Sequence, residues 1–330
     1  MPIWKDFVAK KNNIVITGIG GFAGSFLAER LIADRHKIYG FLAPDEKEDN
    51  ISHLGNSLAL ERFDITEKSR VSDYIKKIKP QFIFHLAALA SVGQSLHQAG
   101  RAYEINIFGS LNVLDAALSP GNRIEKIILI GSADSYGIFA PKGKLLKENQ
   151  PFAPVSPYGI SKASMEYLAR FYYRQSNLPV VIARSFNHTG PRQSENFVIP
   201  SFCRQIARIE KGLQPPNIMV GDLSVRRDLS DVRDVVEGYY LLAQRGRPGE
   251  AYHLASGKAV SIQNALEMLL KMSDVKIKVT IDKNRLRKSD IPILRGDATK
   301  ARKEIGWRPK YGLKETLNFT LDWWRKKTTY

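Results

Sequence analysis

The chain has little of what disulfide-stapled and membrane-spanning proteins need. It contains one cysteine, Cys203, in 330 residues, so no disulfide can form within it. A chain of this kind suits a reducing compartment, and we expect a cytoplasmic protein. No apolar run approaches the roughly 18 residues of a membrane-spanning helix, and we expect no membrane as a partner. Residues 1–13 lack the apolar core of a signal peptide, which predicts a short extension before the first strand.

Acidic residues are scarce relative to basic ones. The chain has 33 Asp and Glu against 50 Lys and Arg, a formal net charge of +17. Residues 271–330 alone contain 17 Lys and Arg against 7 Asp and Glu, which leaves +10 there. Three interpretations are open: a nucleic-acid partner, attraction of a nucleotide-diphosphate substrate, or a solvated surface without a role. Because no nucleic-acid-binding module is recognisable, we favour the solvated surface, with a few cations binding phosphate, and expect no nucleic acid as a partner.

The first half of the chain alternates between continuously apolar runs and helix-length amphipathic segments. Such runs are typical of strands buried on both faces, and their alternation with helices predicts an α/β fold with a doubly wound parallel Rossmann sheet. The predicted strands are 13–17, 36–42, 61–65, 81–87, 126–130 and 179–183, and the predicted helices are 22–33, 67–78, 99–117 and 158–175. After Phe186 the pattern loosens, which predicts a smaller, mixed α/β substrate-binding lobe.

A glycine-rich turn joins the first predicted strand to the first predicted helix. The spacing of Gly18, Gly21 and Gly24 lets the backbone approach a dinucleotide pyrophosphate, and the helix N-terminus offers it free N–H groups. We therefore expect NAD or NADP as the cofactor. The choice between them stays open, because residues 41–44 after the second strand carry neither the acid nor the arginine that selects. Asp64, after the third strand, is either an adenine ligand or a strand-end or helix-cap aspartate.

A tyrosine and a lysine share one face at the start of a predicted helix. Tyr158 and Lys162 are four residues apart, and a nearby ammonium lowers the pKa of a phenol. This suits Tyr158 as the general acid of a reduction or the base of an oxidation. Ser132, at the end of an earlier strand, can hydrogen-bond the same substrate oxygen. Such a pair is usually a surface feature, but its position after a dinucleotide-binding turn favours a catalytic role.

These motifs together resemble the extended short-chain dehydrogenase/reductase family over nearly the whole chain. The matching segments are Thr17-Gly18-x-x-Gly21-Phe22-x-Gly24, His85-Leu86-Ala87-Ala88, Ser132-x-x-x-Tyr136-Gly137 and Tyr158-x-x-x-Lys162. The resemblance implies that Ser132, Tyr158 and Lys162 are the catalytic triad and that Asn106 helps to position the lysine; otherwise Asn106 caps a bend of its helix. The implied cofactor contacts are Gly18, Gly21, Phe22, Ala23, Gly24, Asp64, Ile65, Leu86, Ala87, Ala88, Tyr158 and Lys162.

The resemblance also implies a domain division and a homodimer. We expect an NAD(P)-binding Rossmann domain over residues 1–186, with segments of about 221–262 returning to it. The nucleotide-sugar-binding lobe then comprises 187–220 and 263–330. Family members commonly pair through the long helix near Asn106 and the helix that begins at Tyr158. Leu168, Phe171 and Tyr172 are apolar residues that either form such an interface or belong to the core.

The second half resembles the GDP-mannose branch of this family. The segments that carry the resemblance are 184–193, 196–198, 220–228 and 287–292. By this resemblance Asn187 and the backbone of Val198 contact a sugar nucleotide, Arg227 and Arg287 hold its diphosphate, and Asp290 binds the ribose. Guanidinium groups suit phosphate oxygens, and the alternative for each arginine is a surface ion pair.

The choice of reaction depends on Asp134 and on the local sequence. Dehydratases of this branch have a glutamate where Asp134 stands, reductases can also carry an acid there, and a loop residue that bonds its own backbone is a third interpretation. Segments 186–191, 197–202 and 228–234 resemble the reductases, whereas Arg192 departs from their usual glycine. The resemblance implies reduction of the 4-keto group of GDP-4-keto-6-deoxy-D-mannose by NAD(P)H, with Tyr158 as proton donor and no metal. A GDP-mannose 4,6-dehydratase is the alternative, and a nucleotide-sugar C4 epimerase is the third candidate.

Overall fold

A seven-stranded parallel sheet organises the protein. The computed structural model describes residues 10–139, 144–286 and 291–328. Its strands are β1 (Asn13–Thr17), β2 (Lys37–Leu42), β3 (Leu58–Arg62), β4 (Phe82–His85), β5 (Lys126–Ser132), β6 (Val180–Ser185), β7 (His188–Thr189), β8 (Asn217–Val220), β9 (Arg226–Asp228), β10 (Ser230–Asp231), β11 (Ala251–Leu254), β12 (Ala259–Ser261), β13 (Lys278–Ile281) and β14 (Ile293–Leu294). The large sheet has the order β11-β6-β5-β4-β1-β2-β3 with every pairing parallel, which confirms the predicted fold class.

Helices cover both faces of this sheet and build much of the lobe. They are α1 (Phe22–Ala33), α2 (Lys68–Ile78), α3 (Val92–His97), α4 (Ala99–Tyr103), α5 (Gly109–Ala117), α6 (Pro157–Ser176), α7 (Val198–Glu210), α8 (Val232–Arg245), α9 (Ile262–Leu270), α10 (Thr299–Glu304) and α11 (Leu313–Lys327). In the three described ranges, none of the helices combines the length and apolar character that crossing a bilayer requires.

Strand β1 shows why the apolar runs are continuous. Successive side chains of a strand point to opposite faces. Ile14 and Ile16 join the core that α1 and α8 cover, and Val15 joins the core under α2, α5 and α6. Because both faces are covered, a polar residue at any of these positions would be buried without solvent, and the strand has no polar alternation.

Two predicted elements differ from the structure. The third strand begins three residues earlier than the predicted 61–65, because β3 pairs with β2 from Leu58 to Arg62. Phe63 and Ile65 lie beyond the end of the strand but are still buried. Their apolar character made this later segment resemble a strand. The predicted helix 99–117 contains a π-helical turn over Glu104–Phe108, between α4 and α5.

The lobe has its own apolar core and small sheets. Strand β9 pairs with β12 and β14, and β8 pairs with β13. Helices α7, α9 and α11 pack together over this core, in which Cys203 is fully buried. Within the segment expected to return to the Rossmann domain, α8 packs against the large sheet and β11 forms its edge strand. Strands β9 and β12 belong to a smaller sheet instead.

One C-terminal segment packs differently from the expected division. Ala298, Ala301, Ile305 and Trp307 belong to the core shared by α1, α8 and the large sheet, although the division placed 263–330 in the lobe. Sequence periodicity reports that a residue is buried but not which core receives it. The division into domains stays a prediction.

Replacing Trp307 tests how much this segment contributes to the large core. Its ring is buried and its indole N–H donates to the Asp234 carbonyl at 2.7 Å. We expect Trp307→Ala to lower the free energy of unfolding by about 3–5 kcal/mol. Trp307→Phe keeps most of the ring and should cost clearly less. Urea denaturation measures both, and equal losses would contradict the packing role.

Candidate active site

A cavity of 1940 Å³ lies along the carboxyl edge of the large sheet. Residues that follow β1, β2, β3 and β4 and the ends of β5 and β6 line one side, and α7 and β8 of the lobe line the other. Pockets for one small ligand usually measure about 300–1000 Å³. The volume therefore has room for a dinucleotide and a second large ligand together.

The glycine-rich turn fits a dinucleotide pyrophosphate. Gly18 has a φ of +68°, and a Cβ there would lie 2.8 Å from the Ala87 nitrogen. A Cβ on Gly24 would lie 2.1 Å from the Gly18 carbonyl oxygen. Helix α1 starts at Phe22 without a side-chain cap, so its first N–H groups are available to an anion. Every predicted cofactor contact lines the cavity: Gly18, Gly21, Phe22, Ala23, Gly24, Asp64, Ile65, Leu86, Ala87, Ala88, Tyr158 and Lys162.

Asp64 is already engaged by protein groups. One carboxylate oxygen accepts from the Thr66 N–H at 2.9 Å and from its hydroxyl at 2.8 Å. The other accepts from Arg101. These contacts match the strand-end alternative. The contact of Asp64 with adenine stays a prediction.

Ser132, Tyr158 and Lys162 come together at the cavity wall. Ser132 ends β5 and Tyr158 lies in the first turn of α6, whose N-cap Ser156 accepts from the Gly159 N–H. The Lys162 ammonium donates to the Ile130 carbonyl at 2.8 Å and lies 6.0 Å from the centre of the Tyr158 ring. The strand end and the helix start thus present a hydroxyl, a phenol and an amine to one space.

Burial dominates the protonation of this cluster. It raises the pKa of Tyr158, the charge of Asp134 adds to the rise, and a hydrogen bond with Ser132 opposes it. Burial also lowers the pKa of Lys162 to about 7. The expected lowering of the phenol pKa is therefore not found in this structure, because burial, the largest cause, raises the pKa of Tyr158. A neutral phenol is the form that donates a proton.

Asp134 lies against the triad. The Ser132 hydroxyl donates to its carboxylate at 3.2 Å, and the Asp134 N–H donates back to the Ser132 oxygen at 3.1 Å. Its charge also reaches Tyr158. The carboxylate is thus more than a loop residue that bonds its own backbone.

Asn106 connects the π-helical turn to α6, the helix that carries Tyr158 and Lys162. Its amide donates to the Ser161 hydroxyl at 2.8 Å and to the Leu89 carbonyl at 3.3 Å, and its oxygen accepts from the Leu89 N–H at 2.8 Å. The side chain is fully buried. It touches the neighbour of Lys162 rather than the lysine, so its positioning role stays a prediction.

A buried charge network holds the two halves of the triad together. Glu166, on α6, accepts from the Arg184 Nε of β6 at 2.7 Å. Arg184 also donates to the Tyr136 hydroxyl, which bonds the His253 Nε2 at 2.6 Å. Tyr136 belongs to the turn that follows Ser132. The network therefore connects the serine-bearing strand end to the helix that carries Tyr158 and Lys162.

Three of the five predicted substrate contacts line the cavity. The Asn187 Oδ1 is buried and has no hydrogen-bond partner among the described residues. Val198 begins α7. No side-chain cap binds the first backbone N–H groups of this helix, so they are available to a ligand. Arg227 donates to the Ile291 carbonyl at 2.7 Å. Arg287 and Asp290 lie outside the described residues.

Sequence reasoning missed the role of Arg192. It adopts a φ of +71°, a left-handed conformation that favours glycine. Its guanidinium donates to Glu29 at 2.7 Å and to the Ser25 hydroxyl at 3.3 Å, and it lies 4.5 Å from the centre of the Phe26 ring. The arginine thus connects the loop after β7 to α1, the helix that follows the glycine-rich turn. The signal was present, because an arginine stood where glycine is usual.

Two further cavity residues carried no sequence signal. Glu46 and Asn50 lie in the loop after β2 and line the cavity beside the glycine-rich turn. The Asn50 amide donates to the Gly20 carbonyl at 3.0 Å. Loop residues without a motif cannot be placed from sequence, because their position depends on how the loop folds back.

The sheet, the glycine-rich turn and the Ser–Tyr–Lys cluster define an NAD(P)-dependent oxidoreductase of the extended short-chain dehydrogenase/reductase fold. The family model described as GDP-mannose 4,6 dehydratase matches residues 15–320. The chain belongs to this family, as the sequence predicted.

Relatives and solved structures agree with this assignment. The chain is 31% identical to GDP-6-deoxy-D-mannose reductase of Pseudomonas aeruginosa, over 95% of this chain and 97% of the relative. It is 27% identical to GDP-mannose 4,6 dehydratase 1 of Arabidopsis thaliana, over 96% and 91%. The structure of RMD from Pseudomonas aeruginosa complexed with NADPH superposes with a TM-score of 0.83 at 30% identity, over 96% and 100%. UDP-glucose 4-epimerase from Thermotoga maritima gives 0.84 at 28%, over 96% and 99%.

The buried amine of Lys162 should make folding stability depend on pH. Its pKa is about 7 in the folded protein against the usual 10.5, so the unfolded chain binds the proton more tightly. Stability from this group is therefore low below pH 7 and rises towards pH 10.5. As the pH rises across this range, we expect the unfolding free energy of the wild type to increase relative to that of Lys162→Met. Chemical denaturation at several pH values measures the difference, with the exposed Lys76→Met as control; a flat difference would contradict the lowered pKa.

Proposed function

We propose that the chain reduces the 4-keto group of GDP-4-keto-6-deoxy-D-mannose with NAD(P)H. The observation that carries this proposal is the convergence of Ser132, Tyr158 and Lys162 on the wall of a cavity with room for two nucleotide ligands. The similarity to the Pseudomonas reductase supports the choice of substrate.

The cluster can deliver a proton to the carbonyl oxygen at C4. When bound, the nicotinamide supplies the hydride that C4 takes up. Ser132 turns its hydroxyl proton from Asp134 to the carbonyl oxygen and orients that oxygen, and Tyr158 gives it a proton as negative charge develops there. Lys162, one helical turn from Tyr158, stabilises the phenolate that remains and binds the adjacent ribose. Because Lys162 is buried and Tyr158 is partly buried, water competes little for these contacts.

The lobe side of the cavity suits a nucleotide diphosphate. Arg227 lines it with a guanidinium, and the open N-terminus of α7 at Val198 offers backbone N–H groups to phosphate oxygens. The unpartnered Oδ1 of Asn187 can accept from a sugar hydroxyl. We propose that Arg287 and Asp290 complete this site.

Asp134 favours one second candidate, the GDP-mannose 4,6-dehydratase. That reaction needs an acid and base beside the triad for elimination of water, and Asp134 contacts Ser132 directly. The same contact occupies the carboxylate with Ser132, and aspartate is one methylene shorter than glutamate. We therefore keep the reductase as the main proposal.

Replacing Tyr158 tests the reaction. With wild-type protein and GDP-4-keto-6-deoxy-D-mannose, we expect the absorbance of NADH or NADPH to fall. Tyr158→Phe removes the proton donor and should lower kcat by about 10²–10⁴-fold while cofactor affinity stays close to that of the wild type. Tyr173→Phe, on the surface of the same helix, is the matched control.

A different product pattern would contradict the reductase. Conversion of GDP-mannose to its 4-keto-6-deoxy product, with no net change in nicotinamide and no activity on the 4-keto sugar, identifies the dehydratase instead. Both substrates should therefore be assayed with the same preparation.

We also propose that the protein is a cytoplasmic homodimer. Along one face, α6 exposes Ile160, Tyr167 and Phe171, and Phe108 of the π-helical turn is exposed as well; each is 41–62% accessible. Of the other residues considered for an interface, Tyr172 is buried and Leu168 packs on the core. The single buried cysteine and the reduced cofactor suit a reducing compartment.

A charge on the exposed α6 face should separate the protomers. Phe171→Lys would place an ammonium in an apolar contact, which costs free energy on association. We expect sedimentation velocity to show a dimer for the wild type and a concentration-dependent shift to monomer for this variant. Val275→Lys, an exposed apolar residue of the lobe, should remain dimeric. A wild-type monomer would overturn the proposal.

A further inference from the structure

The loop after β2 folds back onto the glycine-rich turn and brings a carboxylate to it. A Cβ added to Gly20 would lie 2.7 Å from the Glu46 Oε1. The other oxygen of Glu46 accepts from the Ala43 N–H at 3.1 Å, and the Glu46 N–H donates to the Ala43 carbonyl at 3.0 Å. Two bonds thus close a turn that fixes the carboxylate at the cavity.

This carboxylate lies in the segment of the chain that contacts the adenosine ribose of a dinucleotide in Rossmann folds. In Rossmann folds the segment after the second strand faces the ribose, where an acid accepts from the 2′-hydroxyl and an arginine binds a 2′-phosphate. The first residues after β2 here are Ala43 and Pro44, which do neither. Glu46 reaches the same place from further along the loop.

The charge around Glu46 also opposes a 2′-phosphate. Residues 45–49 hold four acids and one lysine, in a protein whose net charge is +17. Two arginines of this region are engaged by other groups: Arg62 donates to the Glu46 carbonyl at 2.8 Å and pairs with Glu48 at 2.5 Å, and Arg101 pairs with Asp64. Arg62 does not line the cavity. A dianionic phosphate there would therefore meet more negative than positive charge.

We propose that Glu46 binds the 2′-hydroxyl of the adenosine ribose and excludes a 2′-phosphate, so that the chain prefers NADH to NADPH. The preference is a property of this loop; the solved structure of the Pseudomonas relative is a complex with NADPH. The use of NADH as reductant rests on the proposed function, but the binding preference does not.

Calorimetric titration of the full chain with NADH and with NADPH tests the proposal without turnover. We expect the wild type to bind NADH at least about tenfold more tightly, because a like-charge contact opposes NADPH. Glu46→Gln should reduce this ratio by about tenfold through tighter NADPH binding. Asp45→Asn removes the same charge one residue away, outside the cavity lining, and should leave the ratio unchanged. ADP-ribose and its 2′-phosphorylated form should show the same pattern, since they lack the nicotinamide.

A gain-of-function variant keeps the test decisive if Glu46→Gln folds poorly. Ala43 is exposed at the start of the loop, and Ala43→Arg should raise the affinity for NADPH while thermal unfolding stays near that of the wild type. Equal or tighter binding of NADPH by the wild type, or an unchanged ratio in Glu46→Gln, would overturn the proposal. Selective NADH binding without reduction of the 4-keto sugar would instead refute the proposed function alone.

Discussion

The buried pairing of Glu166 with Arg184 is the interaction on which the active-site arrangement depends. It joins α6, which carries Tyr158 and Lys162, to strand β6 and, through Tyr136, to the turn that follows Ser132. Removing one partner of a buried pair leaves the other charged in a medium that solvates it poorly, at a cost of about 3–5 kcal/mol. Hydrogen bonds to both partners offset part of the free-energy cost of burying the two charges, and they also fix the geometry of the pair. The serine and the tyrosine thus keep one separation although they lie on different elements.

Sequence alone predicted the parts of the molecule that depend on local chemistry. The glycine-rich turn requires a positive φ at Gly18 and no side chain at Gly24, and such requirements leave visible residues. The continuous burial of β1 left an equally visible apolar run. Predictions failed where burial came from elsewhere, as when Phe63 filled a core beyond the end of its strand. The prediction that the pKa of Tyr158 is lowered failed for the same reason, since desolvation depends on everything packed around the phenol.

The cavity is shared between two layers that must cooperate. The predicted cofactor contacts lie along the sheet edge, and the predicted sugar-nucleotide contacts come largely from segments beyond β6. Arg192 bridges them, since it sits in the loop after β7 and bonds Glu29 of α1. A non-glycine residue with a positive φ costs about 1–2 kcal/mol, which the ion pair and the contact with Phe26 offset. Arg192 therefore combines a strained backbone conformation with a physical link between the loop after β7 and α1.

The seclusion of Cys203 has a practical consequence. The thiol lies inside the lobe core, and burial raises its pKa, so alkylating reagents meet neither an accessible sulfur nor a thiolate. With no second cysteine in the sequence, any labelling must come from molecules whose lobe has opened. The rate of thiol modification would then report how often the lobe opens from its packed state. Ligands that bind and stabilise the lobe would lower that rate without contacting the sulfur.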